Sequence, residues 1–162
     1  MDTLILGQSK NGKAVFANAD FKKGEGIIEF KGKLFTYKQL PTPYDEVDDY
    51  YVQIDKNLYM GPSGNLDDFF NHSCNPNSGL KIEGKRVILI ATKNIKKGEE
   101  VTWDYSTTMD EDDWELDCMC KSKNCRKRIR DFKYLPKEIQ QKYIKLGIVP
   151  KYILENVKRN PE

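Results

Sequence analysis

The chain has 162 residues, 38% of them hydrophobic and 32% charged, with a formal net charge of +2, which is enough for one hydrophobic core of ordinary size. No apolar stretch approaches the roughly 18 residues of a membrane-spanning helix, and the N-terminus lacks the basic and apolar regions of a signal peptide, so we expect a soluble, intracellular protein without a membrane partner. The nearly balanced charge argues against nucleic acid as a direct partner, because phosphate binding normally shows as a strong basic excess.

Short runs typical of β-strands dominate the first hundred residues, and Gly-rich turns separate them, as in all-β folds. The runs are residues 14–17, 26–30, 33–35, 50–54, 86–90 and 100–103. The sequence Lys-Lys-Gly-Glu occurs twice, at 22–25 and 96–99, each time just before a predicted strand. Two copies are too few for a repeat architecture. The pattern predicts a mainly β fold, with some helix, built from small curled sheets.

Charged residues are concentrated in three runs. The segment from Leu40 to Asp49 has two prolines, is predicted to be a loop or short insert, and carries one acidic run. A second acidic run covers residues 110–117, and a basic run covers 121–130. Runs of this kind are most often solvated surface, which is the simpler interpretation. The alternative is that the acidic runs attract a basic partner.

The pattern changes to helical spacing after Pro136. Apolar residues recur at Ile139, Tyr143 and Leu146, and the pair Gly147 and Pro150 is expected to end the helix. A further one or two helical turns are predicted around Tyr152, Ile153 and Val157. We expect this amphipathic tail to pack on the domain; a dimer contact is the alternative, so the protein is predicted to be a monomer or a weak dimer.

The chain has four cysteines. In a protein that is not exported they are more plausibly metal ligands than disulfides, and the spacing of Cys118 and Cys120 suits two thiolates on one ion. Four thiolates would close a tetrahedral shell, so the ion would be a structural zinc without an open position for water. Plain buried thiols are the alternative.

Two motifs carry the functional interpretation: Asn-His-Ser-Cys-Asn-Pro at 71–76 and Gly-Glu-Glu-Val-Thr-Trp-Asp-Tyr at 98–105. In this order and spacing they resemble the two hallmark motifs of SET-domain protein lysine methyltransferases. The Cys-x-Cys-x4-Cys run that follows is similar to the post-SET zinc motif of that family, in which the cysteine of the first motif is the fourth ligand. The ligands would therefore be Cys74, Cys118, Cys120 and Cys125.

The resemblance covers residues 3–131 and implies a SET-type fold with a pseudoknot where 71–75 and 100–105 cross. It divides the chain into a SET domain (1–108), a zinc-bound post-SET segment (109–131) and a C-terminal helical tail (132–162). It implies S-adenosylmethionine as methyl donor and a protein lysine as acceptor. The substrate would be a basic, histone-like protein tail, because the two acidic runs lie in segments that flank the peptide groove in this family.

The resemblance also implies the roles of individual residues. Tyr105 would be the catalytic tyrosine, with its hydroxyl orienting the amine. Asn71 and His72 match donor contacts, and positioning the donor is a more plausible role for His72 than general base. Trp103 stands where the family tunes how many methyl groups the channel admits. A tryptophan there favours di- or trimethylation, because its indole N–H can only donate.

Two further segments line the pockets in the family. Gly12, Lys13 and Ala14 match the glycine-rich strand start whose backbone approaches the donor, although Ala14 replaces the second glycine. We assign Tyr50 to the donor pocket and Tyr51 to the lysine channel. Because neighbouring strand residues face opposite sides, only one of these two tyrosines can point into the site.

Two rival functions are kept open. A catalytically silent reader or scaffold would keep the fold and the zinc and bind lysine-rich tails; the presence of Asn71, His72 and Tyr105 disfavours it. A zinc module that contacts nucleic acid through residues 121–130 is the second rival. The sequence does not distinguish the nucleus or chromosome from the cytoplasm as the place of action, nor does it name the lysine that is modified.

Overall fold

The computed structural model describes residues 2–41 and 50–159. Within these ranges the chain forms short antiparallel strands and two helices. The strands are β1 (Leu4–Ser9), β2 (Gly12–Ala17), β3 (Gly26–Glu29), β4 (Leu34–Phe35), β5 (Val52–Asp55), β6 (Leu58–Met60), β7 (Ser78–Glu83), β8 (Arg86–Ala91), β9 (Leu116–Asp117) and β10 (Arg128–Ile129). The first acidic run, at Asp45, Glu46, Asp48 and Asp49, lies outside the described residues.

These strands form four small sheets instead of one continuous sheet. β1 and β2 form a hairpin, β3-β8-β7 and β4-β6-β5 are three-stranded sheets, and β9 pairs with β10. The first three sheets share one core, to which they contribute among others Val15, Ile54 and Leu89, all essentially inaccessible to solvent. Apolar side chains on one face of each sheet are buried there, and the mainly β prediction is confirmed.

Five of the predicted runs correspond to strands, the run at 100–103 does not, and the strands β1, β6 and β7 were not predicted. Predicted runs at 14–17, 26–30 and 86–90 overlap β2, β3 and β8, but the run at 50–54 becomes a strand only from Val52. The predicted strand at 100–103 is absent, because this segment makes single bridges to two different neighbours instead of a ladder with one. Glu100 bridges Phe16, and Trp103 bridges His72.

The repeated Lys-Lys-Gly-Glu sequences adopt one and the same turn. In each copy the glutamate N–H donates to the carbonyl of the first lysine at 3.0 Å. The glutamate carboxylate in return accepts from the backbone N–H of that lysine, at 2.6 Å from Lys22 to Glu25 and 2.5 Å from Lys96 to Glu99. The glycine between them has φ +91° in both copies, a conformation in which a β-carbon is disfavoured.

The C-terminal tail packs on the domain as predicted. Its helices are α1 (Lys137–Lys145) and α2 (Lys151–Arg159), and Gly147 at φ +70° ends the first one. Ile148 lies so close to Gly79 of β7 that a β-carbon there would be 2.6 Å from its Cδ1 atom. Neither helix in the described part of the chain is long and apolar enough to cross a membrane.

Candidate active site

The two sequence motifs meet side by side. The Trp103 N–H donates to the Asn71 carbonyl at 3.2 Å, and the Ser73 N–H donates to the Trp103 carbonyl at 3.0 Å, which gives the parallel bridge between His72 and Trp103. In such a bridge the N–H and carbonyl of His72 itself point to the opposite side. The backbone N–H and carbonyl of His72 are therefore directed away from Trp103 and can bind another group.

Tyr105 is held on three sides. Its hydroxyl donates to the Phe70 carbonyl at 2.7 Å, and its backbone N–H donates to His72 Nδ1 at 3.2 Å. Its ring lies 4.7 Å from the Trp103 ring and 5.3 Å from the His72 ring, measured between centroids. The hydroxyl proton is therefore directed at Phe70.

A narrow cavity, lined by aromatic, aliphatic and acidic side chains, opens next to Tyr105 and Trp103. Its wall is formed by Phe30, Tyr50, Val52, Met60, Gly61, Asp67, Asp68, Phe70, Trp103 and Tyr105. Of the two adjacent tyrosines, Tyr50 lines this cavity, while the Tyr51 ring packs edge-on against Phe35 at 5.5 Å. Tyr50, assigned above to the donor pocket, is therefore the tyrosine that lines the cavity beside Trp103 and Tyr105. Tyr51, assigned above to the lysine channel, is not among the lining residues.

Two carboxylates belong to the cavity wall, and both hold backbone in place. Asp67 accepts from the Lys31 N–H at 2.9 Å and from the Ser63 hydroxyl at 2.6 Å. Asp68 accepts from the N–H groups of Ser63 at 2.8 Å and Gly64 at 2.7 Å. Asp68 thereby ties the glycine turn at 64 to the short helical turn at Leu66–Phe69.

Four of the residues predicted to bind the donor, Gly12, Lys13, Ala14 and Asn71, lie in or against the β1–β2 hairpin. The side-chain amide nitrogen of Asn71 donates to the Lys13 carbonyl at 3.2 Å and to Glu100 Oε1 at 2.9 Å. Gly12, at φ +99°, makes the tight turn between the two strands, and Ala14 is completely buried opposite Gly7. Asn71 therefore fixes the hairpin against both motifs and keeps its amide oxygen as an acceptor.

Both ring nitrogens of His72 bond within the chain. Nδ1 accepts the Tyr105 N–H, so the ring proton is on Nε2, which lies 3.4 Å from Cys74 Sγ. Nδ1 is also 3.5 Å from a carboxylate oxygen of Asp104, but burial outweighs that attraction and lowers the pKa of His72 to about 4. The ring is neutral at pH 7, and any donor contact of His72 comes from its backbone.

The four cysteines come together although Cys74 is far from the others in sequence. Their sulfur atoms all lie within 4.8 Å of one another, and Cys74 Sγ is 3.7 Å from Cys118 Sγ. A tetrahedral site with Zn–S bonds of about 2.3 Å requires sulfur separations of about 3.8 Å. Backbone N–H groups of Arg126 and Lys127 donate to Cys74 and Cys125 at 3.4 Å. The geometry fits a structural zinc ion bound by four thiolates.

Sequence reasoning missed a buried network centred on Asp104. Its carboxylate accepts from the Arg126 guanidinium at 2.8 Å, the Ser106 N–H at 3.1 Å and the Tyr143 hydroxyl at 2.9 Å. The Asp104 side chain has no solvent exposure, and a carboxylate buried so completely requires such donors. Arg126 was hidden in a charged run and Tyr143 in an apolar helical stripe, where no local pattern marks a partner.

Half of the six carboxylates in the second acidic run are paired with basic side chains. Arg128 and Arg130 bind Glu115 at 2.5 and 2.9 Å, and Arg128 also binds Asp117 at 3.2 Å. Asp112 pairs with Lys133. Less net negative charge therefore remains at the second acidic run than the sequence suggests. Arg128 and Arg130 are correspondingly less available to bind the phosphates of a nucleic acid.

Glu111 is the member of that run with the largest predicted effect on pH dependence. Burial raises its pKa from 4.5 to about 7, the carboxylates of Asp110, Asp113 and Asp131 add to the rise, and the Tyr59 hydroxyl opposes it. The pKa of Glu111 is therefore higher in the folded than in the unfolded state. The contribution of Glu111 to the stability of the folded protein is complete below pH 4.5 and is lost as the pH rises through about 7.

We therefore expect Glu111→Gln to gain stability relative to the parent chain between pH 5 and 8, by at most on the order of 3 kcal/mol. Urea unfolding of both proteins across this range measures the difference. Glu138→Gln, on the surface of α1, is the control. A Glu111→Gln difference that does not change with pH contradicts the assignment.

Comparison with known proteins agrees with this site. The SET domain profile matches residues 12–106, more than half of the chain, and the chain therefore belongs to the SET-domain family. The variant-silencing SET domain-containing protein of Plasmodium falciparum is 34% identical over 140 residues, which cover 76% of this chain and 5% of that protein. The histone-lysine N-methyltransferase ASHH3 of Arabidopsis thaliana is 30% identical over 137 residues, or 77% of this chain and 37% of that protein.

A solved structure shares the fold. The crystal structure of KRYPTONITE in complex with mCHG DNA and SAH matches with a TM-score of 0.64 and 29% identity, over 78% of this chain and 29% of that one. A second KRYPTONITE structure contains mCHH DNA, an H3(1–15) peptide and SAH, and is 27% identical. The SET-type fold predicted from the two motifs is thus confirmed, whereas the chain spans only a small part of the relatives that it matches.

Proposed function

We propose that the chain is a protein-lysine N-methyltransferase that uses S-adenosylmethionine and acts on a basic, histone-like tail in chromatin. The observation that carries the proposal is that the predicted catalytic tyrosine, Tyr105, stands in a narrow aromatic cavity directly beside the turn predicted to bind the donor. Relatives named as histone-lysine N-methyltransferases, and a structural neighbour with an H3 peptide and SAH, support it.

The donor side is formed by the hairpin turn and the first motif. S-adenosylmethionine, when bound, supplies a methyl group on a positively charged sulfur. The Asn71 amide oxygen and the free backbone groups of His72 can accept and donate hydrogen bonds to its polar parts. The Lys13 ammonium lies 5.1 Å from the Phe69 ring centroid, so the Lys13 side chain extends from the hairpin towards Phe69.

The acceptor side must provide a neutral lysine amine. With a pKa of about 10.4 in water, deprotonation at pH 7 costs about 4.6 kcal/mol. Desolvation of the amine between the aromatic rings lowers that cost, because removal from water disfavours the ammonium form, and the positive sulfur of the donor lowers it further. The Tyr105 oxygen can accept an N–H of the neutral amine, which aims the nitrogen lone pair at the methyl group.

Trp103 closes the inner wall of the cavity with only 4% of its surface exposed. Its indole has no acceptor to anchor a water molecule. The proposal therefore includes transfer of more than one methyl group to the same lysine.

Incubation with methyl-labelled S-adenosylmethionine and an H3(1–15) peptide tests the function. We expect label in the peptide and none in a matched peptide whose lysines are replaced by arginine, and mass spectrometry of the product counts the methyl groups. Peptide binding without label transfer would instead support the silent reader.

A further inference from the structure

The Asp104 network connects three parts of the chain that the sequence keeps apart. Asp104 belongs to the second motif, Arg126 to the segment with the zinc cysteines, and Tyr143 to α1 of the tail. Arg126 uses both its backbone and its side chain, since its N–H donates to Cys74 Sγ while its guanidinium binds Asp104. One buried carboxylate thus joins the SET domain, the zinc site and the tail.

The position of this carboxylate determines the position of Tyr105. The two residues are adjacent, and the Asp104 carboxylate also accepts from the backbone N–H of Ser106 at 3.1 Å, which fixes the turn around Tyr105. The Tyr105 N–H in turn donates to His72, whose Nδ1 lies 3.5 Å from Asp104. A small displacement of Asp104 therefore moves the backbone of Tyr105 and one of the rings packed against it.

Tyr143 supplies the contact to Asp104 that comes from outside the SET domain and the zinc segment. Its side chain is buried, with 2% of the residue exposed, and burial together with the negative Asp104 raises the pKa of its hydroxyl far above 10. The hydroxyl thus remains a donor at every physiological pH. Helix α1 holds it there, because the other apolar residues of the tail pack around the same ring.

We propose that Tyr143 is a positioning residue for methyl transfer: its hydroxyl holds the Asp104 carboxylate, and through it Tyr105, in the reactive arrangement. The inference rests on the proposed function, since it concerns the same site. It assigns to the C-terminal tail a part in catalysis, beyond covering the domain.

The test compares two Tyr→Phe variants that each remove one buried hydroxyl from the tail. Tyr143→Phe removes the Asp104 contact, whereas Tyr152→Phe in α2 removes a hydroxyl that bonds only the carbonyls of Gln53 and Thr108. For Tyr143→Phe we expect kcat to fall about tenfold, because small misplacements at a reacting centre are costly, with KM for donor and peptide and the zinc content unchanged. Tyr152→Phe is expected to lose comparable thermal stability but to keep its kcat.

Hydrogen exchange of the Tyr105 amide gives a readout that does not depend on activity. We expect faster exchange in Tyr143→Phe than in Tyr152→Phe, both relative to the parent chain, because the bond to His72 loosens when Asp104 shifts. Equal kcat in the two variants, or equal exchange of the Tyr105 amide, would overturn the proposal. If the parent chain itself transfers no methyl group, the proposed function fails, and the exchange rates alone decide whether Tyr143 holds Tyr105.

Discussion

Tyr105→Phe is expected to lower kcat at least about tenfold while donor affinity stays nearly the same. The substitution removes one oxygen and leaves the ring against Trp103, 4.7 Å away. It removes the only part of Tyr105 that can accept an N–H of the lysine amine and contact the transferring methyl group. Interactions made at the reacting centre are expressed in kcat more than in ground-state binding.

Two measurements on one preparation decide this prediction: methylation kinetics with a basic peptide and calorimetry of donor binding. Tyr134→Phe is the matched control, since its hydroxyl bonds Asp112 on the surface. Because the Tyr105 hydroxyl also bonds the Phe70 carbonyl, a small loss of thermal stability of about 1 kcal/mol is expected as well. A Tyr105→Phe protein as active as the parent would remove the tyrosine from the mechanism.

Cys120→Ser is expected to abolish zinc retention and to disorder the segment from Cys118 to Cys125. Structural zinc contributes about 10–16 kcal/mol of folding free energy in small zinc-binding peptides, and a hydroxyl is a much poorer ligand than a thiolate. The loss should reach the catalytic cavity, because Cys74 and Arg126 connect the cluster to His72 and Asp104.

Metal analysis and limited proteolysis test this expectation. The parent protein should contain one zinc per chain and resist cleavage around residues 118–125, while Cys120→Ser should be free of zinc and be cleaved there. Met119→Ser changes the exposed neighbour between two ligands, 63% of whose surface is accessible, and should behave like the parent. An active parent protein purified without metal would show that the cysteines are plain thiols.

Much of the secondary structure could be predicted from short segments of the sequence. Runs with apolar and turn residues at the right spacing predicted β2, β3 and β8, although β1, β6 and β7 were missed. Helical spacing predicted both tail helices and the stop of the first one at Gly147. The segment at 100–103 was misjudged because its β-type residues are satisfied by single bridges to Phe16 and His72. Strand propensity describes how a side chain fits a pleated surface, and it does not specify which neighbour provides that surface.

The site was predictable to the extent that a motif keeps its residues together in the chain. Tyr105 lies beside Trp103, and Asn71 contacts Lys13, while the roles of these residues stay predictions. The alternation between Tyr50 and Tyr51 correctly required that only one face the cavity, but local pattern could not choose between them. Packing of Tyr51 on Phe35 made that choice.

By itself, the sequence determined which groups this protein can use: four thiols able to bind one metal ion, two motifs rich in polar and aromatic residues, and an amphipathic tail that must bury one face. Tertiary structure alone decided how these parts depend on one another. The Asp104 carboxylate needs donors once it is buried, and its donors come from residues 22 and 39 positions further along the chain. No pattern within a strand or helix encodes such a pairing, because its energy exists only after folding has removed water from the carboxylate.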